Sequence, residues 1–146
     1  MKHVGTKRHC VTDGTGLPLA LTLSAANVHD SQRALTTVDR IRVGARRRPK
    51  GLAADKGYDS RALRRALQAR GIRASIPERQ FAHRRKLGRP PLNDPNLNGN
   101  RWVIERTNAW FDNFHKLSRR SERTLSSYHA ISILACIMIC LGRITQ

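Results

Sequence analysis

Residues 51–60, GLAADKGYDS, decide how the rest of the chain is read. Positions 51–55 read as a short buried strand that ends on Asp55. Lys56, Gly57 and Tyr58 turn the chain, and Asp59 and Ser60 open a helix. A lone charge at the exit of a buried strand is costly. Acidic residues are also scarce, 10 against 28 Lys and Arg. Two readings of Asp55 stand side by side. It serves the turn by local hydrogen bonding, or it belongs to a site at the carboxyl end of a strand, where α/β sheets place their ligands.

Working outward, each flank supplies recognisable elements. Positions 6–13 and 17–25 predict a hairpin, with Asp13-Gly14-Thr15-Gly16 as its turn and Pro18 opening the second strand. Asp30 or Ser31 caps a helix over 31–42, whose apolar positions Ala34, Leu35, Val38 and Ile41 keep helical spacing. Ser60 caps a second helix with Ala62, Leu63, Ala66 and Leu67 inward, stopped by Gly71. A strand follows at 72–77. Residues 79–100, rich in Arg, Pro, Asn and Gly, predict an exposed basic loop. A single helix is expected over 101–117 and another over 124–143, apolar nearly all round. The order is that of one mixed α/β domain, a small mixed sheet flanked by helices.

The net charge of +18 favours a polyanionic partner. Neutralising nucleic-acid phosphates releases condensed counterions, which makes DNA or RNA the leading class. The basic clusters Arg46, Arg47 and Arg48, Arg84, Arg85 and Lys86, and Arg119 and Arg120 are candidate backbone contacts. Cys10, Cys136 and Cys140 have neither zinc spacing nor an even number, so they read as reduced thiols. No apolar leader opens the chain, and the run 130–141 is too short for a bilayer. A buried C-terminal helix and a protein without a membrane partner are expected.

The helix over 101–117 bears on Asp55. Val103, Thr107, Trp110, Phe114 and Leu117 form its expected core stripe. Arg101, Glu105, Asn108 and Asp112 form the opposite, polar stripe. Glu105 reads either as a solvated partner of Arg101 at i−4 or, with Asp55, as part of a carboxylate set. Magnesium takes few protein oxygens and completes its shell with water and phosphate. Two ions close together serve in-line phosphoryl displacement, and holding both requires a third, bridging carboxylate.

These stretches resemble the C-terminal catalytic part of the DDE (Asp-Asp-Glu) transposases of bacterial insertion sequences. The resemblance rests on GTKRH at 5–9, VTDGTGLPLALTLSAANVHDS at 11–31, LAADKGYDS at 52–60, RGIRASIPE at 70–78, GRPP at 88–91 and WVIERTNAWF at 102–111. It implies a ribonuclease-H-like mixed sheet flanked by helices, lacking its first strand, over a single partial domain at 1–146. It implies a Mg²⁺ site, with Mn²⁺ as substitute, in which Asp55 is the second Asp and Glu105 the Glu. Arg101 becomes a phosphate contact, and Asp59 a helix-capping or loop-steadying residue. The implied activity is metal-dependent cleavage and strand transfer of insertion-sequence DNA.

The implied partners are duplex DNA and either a homo-oligomer or a mixed oligomer with full-length transposase. The expected setting is the bacterial cytoplasm, at the nucleoid. Asn98 stands where relatives carry Tyr, and Asp112 where some carry Lys. The family's first catalytic Asp has no counterpart, because Asp13 aligns with the hairpin turn. The expectation is therefore a fragment inactive alone. The alternative is a non-catalytic basic DNA-binding remnant that modulates a full-length transposase.

Overall fold

A computed structural model describes residues 5–42, 48–79, 92, 94–99 and 101–145. The basic clusters at 46–47 and 84–86 lie outside these. Strands β1 (Thr6–Thr12) and β2 (Pro18–Ala25) form the expected antiparallel hairpin. Its turn is tied by the Asp13 carboxylate, which accepts from Thr15 N at 2.8 Å, Thr15 Oγ1 at 2.8 Å and Leu17 N at 2.9 Å. Burial opposes the Asp13 charge, but these donors outweigh it and hold the carboxyl below its ordinary pKa. Gly16 closes the turn at φ +92°, a conformation that favours glycine.

Helix α1 (Asp30–Val38) is shorter than expected, and its cap is His29. His29 Nδ1 accepts from Ser31 N, a role expected of Asp30 or Ser31. The end comes at Asp39, where the last turn tightens to i→i+3 bonds and Ile41 turns back into the core. Arg70 fixes that end through a two-pronged contact with Asp39, at 2.9 and 2.8 Å.

Strand β3 (Gly51–Ala53) stops two residues before Asp55 and pairs in parallel with β4 (Arg73–Ser75). Between them lies α2 (Arg61–Ala69), capped by Ser60 as expected and ended by Gly71 at φ +71°. Leu63 and Leu67 point inward. Ala62 is exposed, because it lies on the far side of the turn from those two.

Within the expected loop, α3 (Pro95–Asn98) forms on an Asp94 cap, and its Leu97 packs against Gly51. The expected helix over 101–117 is two: α4 (Trp102–Asp112) and α5 (His115–Ser118), separated by Phe114 in an extended conformation. The break lets Phe111 and Leu117 enter the same core. The buried stripe of α4 is Val103, Thr107 and Phe111. Trp110, expected in the core, is half-buried with guanidiniums of Arg106 and Arg143 near its ring. Trp102 is exposed.

Helix α6 (Leu125–Ile144) is longer than the apolar run suggested, and by length and composition it could cross a bilayer. In this fold one face, Tyr128, Ser132, Ala135 and Ile139, is buried against the protein. The opposite face is open, which corrects the expectation of a helix buried all round.

The hairpin is the middle layer. Period-2 alternation sends His9, Val11 and Thr22 toward α1, where Thr22 Oγ1 lies 2.6 Å from Thr37 Oγ1. Cys10, Leu21 and Leu23 face α4 and α6. A second core joins α1 and α2 around Val38, Leu67, Ile72 and Ile76. Among the described residues β1 pairs only with β2 and β3 only with β4, so the strands form two small sheets and not one. Burial pushes the Cys10 thiol up to about 12 and Cys136 up to about 11.

Two outcomes follow from this packing. At Gly16 an added Cβ would lie 3.1–3.2 Å from Thr107, Arg106 and Val103 in a backbone conformation foreign to alanine. Gly16→Ala therefore lowers the unfolding free energy by about 1–3 kcal/mol, read by denaturant melts. Burial lowers the His9 pKa against the opposing Asp30 charge, with Lys7 and Arg33 adding to the lowering. A depressed histidine keeps the folded state neutral while the unfolded chain takes up its proton. Stability is thus full above the unfolded value of about 6.5 and declines as pH falls through it. Urea melts across that window give a shallower pH slope in His9→Gln.

Candidate active site

Asp55 caps a one-turn 3-10 helix, Lys56–Tyr58, its Oδ1 accepting from Lys56 N at 2.6 Å. This is the local turn role. The same oxygen also accepts from Arg101 Nη2 at 3.2 Å. The pair joins positions 46 residues apart and ties the exit of β3 to the start of α4. With side chains 57% and 40% exposed, it is held weakly.

Glu105 lies one turn beyond Arg101 on α4 and is exposed. Among the described residues its side chain takes part in no hydrogen bond or ion pair, so the i−4 pair with Arg101 does not form. Arg101 reaches Asp55 instead. The structure thus links Asp55 and Arg101 directly and brings Glu105 to the adjoining turn.

Helix α4 is positioned by the hairpin. Thr107 Oγ1 donates to Gly16 O at 2.8 Å and Arg106 Nη2 to Thr15 O at 2.6 Å. The C-terminal half of the helix's polar stripe, Asn108 and Asp112, then faces an open groove of about 590 Å³ along β1, lined also by Lys7, Arg8, Asp30 and Tyr58 among others. Arg8 pairs with Asp112 at 3.1 Å and lies over the Phe111 ring. Lys7 donates to Asp30 at 3.0 Å and to Val28 O at 3.1 Å.

Burial is the main reason the Tyr58 hydroxyl is pushed up to about 12, and the charges of Asp30 and Asp55 add to it. Asp30 therefore belongs to this neighbourhood. Its only signal in the sequence is its position at a strand-to-helix junction.

Asp59 steadies the loop, accepting from Arg64 at 2.9 Å and from Arg79 N at 2.8 Å, while Arg64 also donates to Ile76 O at 2.7 Å. Arg48 is exposed. No group of three or more metal-ligating side chains occurs among the described residues.

The family description "Transposase DDE domain" matches residues 2–141, and the chain belongs to that family. A putative transposase for insertion sequence element IS402 of Burkholderia cepacia is 40% identical over 142 residues. That match covers 93% of this chain and 63% of the relative, so the chain spans under two thirds of the relative's length. No solved structure matches.

Arg101 offsets the charge of Asp55, an exposed carboxylate open to a divalent cation from solvent. Removing it frees Asp55. Arg101→Gln therefore binds Mn²⁺ a few-fold more tightly, as read by calorimetry or by the electron-spin signal of the free ion. An unchanged affinity would count against competition at Asp55.

Proposed function

We propose that this chain is the DNA-cleaving and strand-transferring part of an insertion-sequence transposase, with Asp55 and Glu105 as two of its metal-binding carboxylates. The observation that carries this reading is the link from Asp55 through Arg101 to the turn of α4 that bears Glu105. It sits within a chain of the transposase family. On the same reading the two small sheets are parts of one ribonuclease-H-like sheet, with a strand wanting between β1 and β3.

The donor chemistry fits a hard cation. Both groups are carboxylates, Asp55 Oδ2 has no partner among the described residues, and Glu105 is open to solvent. One Mg²⁺ needs no more than these, with water and phosphate completing its shell. Bound there, it would polarise a phosphoryl oxygen and neutralise developing charge. A second ion would need a bridging carboxylate from outside the described residues.

The chain's own residues do the rest. Once Asp55 turns to a cation, Arg101 is released toward a DNA phosphate. Arg120 adds a cation to the groove along β1, where Lys7 and Arg8 are held by Asp30 and Asp112. Arg48, with Arg46, Arg47, Arg84, Arg85 and Lys86, supplies sequence-independent backbone attraction that weakens steeply with salt. Water and then a DNA 3′-hydroxyl are the nucleophiles, and no covalent protein intermediate is formed. The setting is the cytoplasm, on nucleoid DNA.

The lack of a three-residue ligand group among the described residues supports a second reading for the isolated chain, a DNA-binding remnant without chemistry that modulates a full-length transposase. One experiment separates the two. Mg²⁺-dependent nicking and strand transfer are assayed with the 146-residue chain alone and with the chain joined to the part of the IS402 relative it does not cover. Activity is expected only in the joined form, and is lost in Asp55→Ala and Glu105→Ala with duplex binding retained. Cleavage surviving Asp55→Ala would sink the assignment. A joined protein that binds DNA and never cuts would favour the remnant.

A further inference from the structure

The candidate site draws on two parts of the chain that meet near the surface. Asp55 belongs to the unit of β3, β4 and α2, whereas Arg101 and Glu105 ride with α4, which packs on β1, α5 and α6. The Arg101–Asp55 pair joins the two parts through exposed side chains and is held weakly. A second link runs through α3.

Four residues are too few to hold a helix in isolation, so α3 depends on what it docks against. Its front is tied to β4, where Asp94 N donates to Oγ of the fully buried Ser75 at 2.8 Å. Asp94 Oδ1 caps it by accepting from Asn96 N at 3.0 Å, and Pro95 presets φ in its first turn. Its middle rests on β3 through Leu97. Its end leads into α4, because Arg101 N donates to Asn98 O at 3.1 Å.

The approach of Leu97 to Gly51 is closer than a side chain at position 51 would permit. A Cβ there would lie 2.9 and 3.3 Å from the two δ-methyl groups of Leu97. With both methyls so near, either the leucine would swing aside or α3 would lift from the strand. Glycine weakens a strand interior, and close approach of a neighbour is a reason for one to stand there. Gly51 lies four residues before Asp55, and Leu97 four before Arg101. The apolar contact and the ion pair thus join the same two stretches of chain at matching positions.

We propose that Leu97, seated on Gly51, is a positioning residue that clasps the start of α4 to β3 and so sets the separation of Glu105 from Asp55. This rests on the reading of those two carboxylates as metal-binding. Leu97 is no ligand itself; it acts through the chain that leads to Arg101. Two ligands on separate supports bind one ion together only at the effective concentration their linkage sets. A displacement of about 1 Å is enough to spoil a reacting geometry. Opening the clasp leaves each carboxylate in place on its own element and removes their cooperation.

The test reads geometry and binding separately in the 146-residue chain. Nitroxide labels are placed at Arg65→Cys on α2 and Ala109→Cys on α4, both exposed positions, in a Cys140→Ser background. The distance distribution from pulsed electron resonance is expected to be narrow in this parent and broad in Gly51→Ala and in Leu97→Ala. Gly51→Ala combined with Leu97→Val, which trims the leucine about as much as it fills the glycine, is expected to restore it. Mn²⁺ affinity is measured by calorimetry in Arg101→Gln, where the guanidinium no longer offsets Asp55. There Gly51→Ala weakens Mn²⁺ binding by roughly fivefold, and adding Leu97→Val recovers it. With Glu105→Gln also present, Gly51→Ala leaves the affinity unchanged, a dependence that a merely structural role for Gly51 would not produce. Variants that lower the melting temperature and leave the label distance unaltered overturn the proposal. A Mn²⁺ loss that persists in full without Glu105 overturns it as well. Mn²⁺ binding indifferent to Asp55→Ala would overturn the metal reading instead, and the label distances alone would then decide the clasp.

Discussion

The docking of α4 onto the hairpin turn is the contact on which the candidate site depends. A threonine hydroxyl meets a glycine carbonyl across 91 residues of chain. That hydroxyl is buried, as is Val103 beside it, so the bond is shielded from competing water. Because α4 is fixed there, Arg101 projects toward the end of β3 while Asn108 and Asp112 face the groove. Loosening the turn would move one side of the site while leaving Asp55 on its own scaffold of β3, α2 and β4. The site is therefore assembled from two packing units, and the Arg101–Asp55 pair is too exposed to hold them together unaided.

Much of this was legible in the sequence because short-range chemistry governs it. The Asp13 turn, the Ser60 cap and the Gly71 stop each depend on residues within a few positions, and each formed as read. Asp55 was legible in place but not in partner. Its pairing with Arg101 is a tertiary choice that helix spacing could not foresee, since spacing alone favours Arg101 with Glu105. The single helix over 101–117 failed for a related reason. Helical periodicity runs through Asn113 and Phe114, but the core must accept both Phe111 and Leu117, and only a break allows that.

The open face of α6 was hidden for a different reason. A run apolar on all sides reads as buried, whatever is available to bury it. Likewise, the joining of strands into one sheet or two is set by which edges meet, and pattern within a strand carries no record of that.

Charge and site have an uneven relation. The surplus of cations draws the chain to polyanions, yet the groove beside α4 is mixed. Lys7 is tied to Asp30 and Arg8 to Asp112, so two of its cations are committed within the fold. The attraction is broad and comes largely from exposed arginines, while the groove itself is tuned by internal pairs.

The buried thiols have a consequence for handling this protein. Thiol–disulfide exchange and alkylation both proceed through the thiolate. With burial pushing the Cys10 thiol up to about 12, very little of it carries that reactive form at neutral pH. Cys136 is held nearly as firmly. Both positions should pass through oxidising conditions unaltered, and a cysteine introduced at an exposed site would take a maleimide dye far ahead of either.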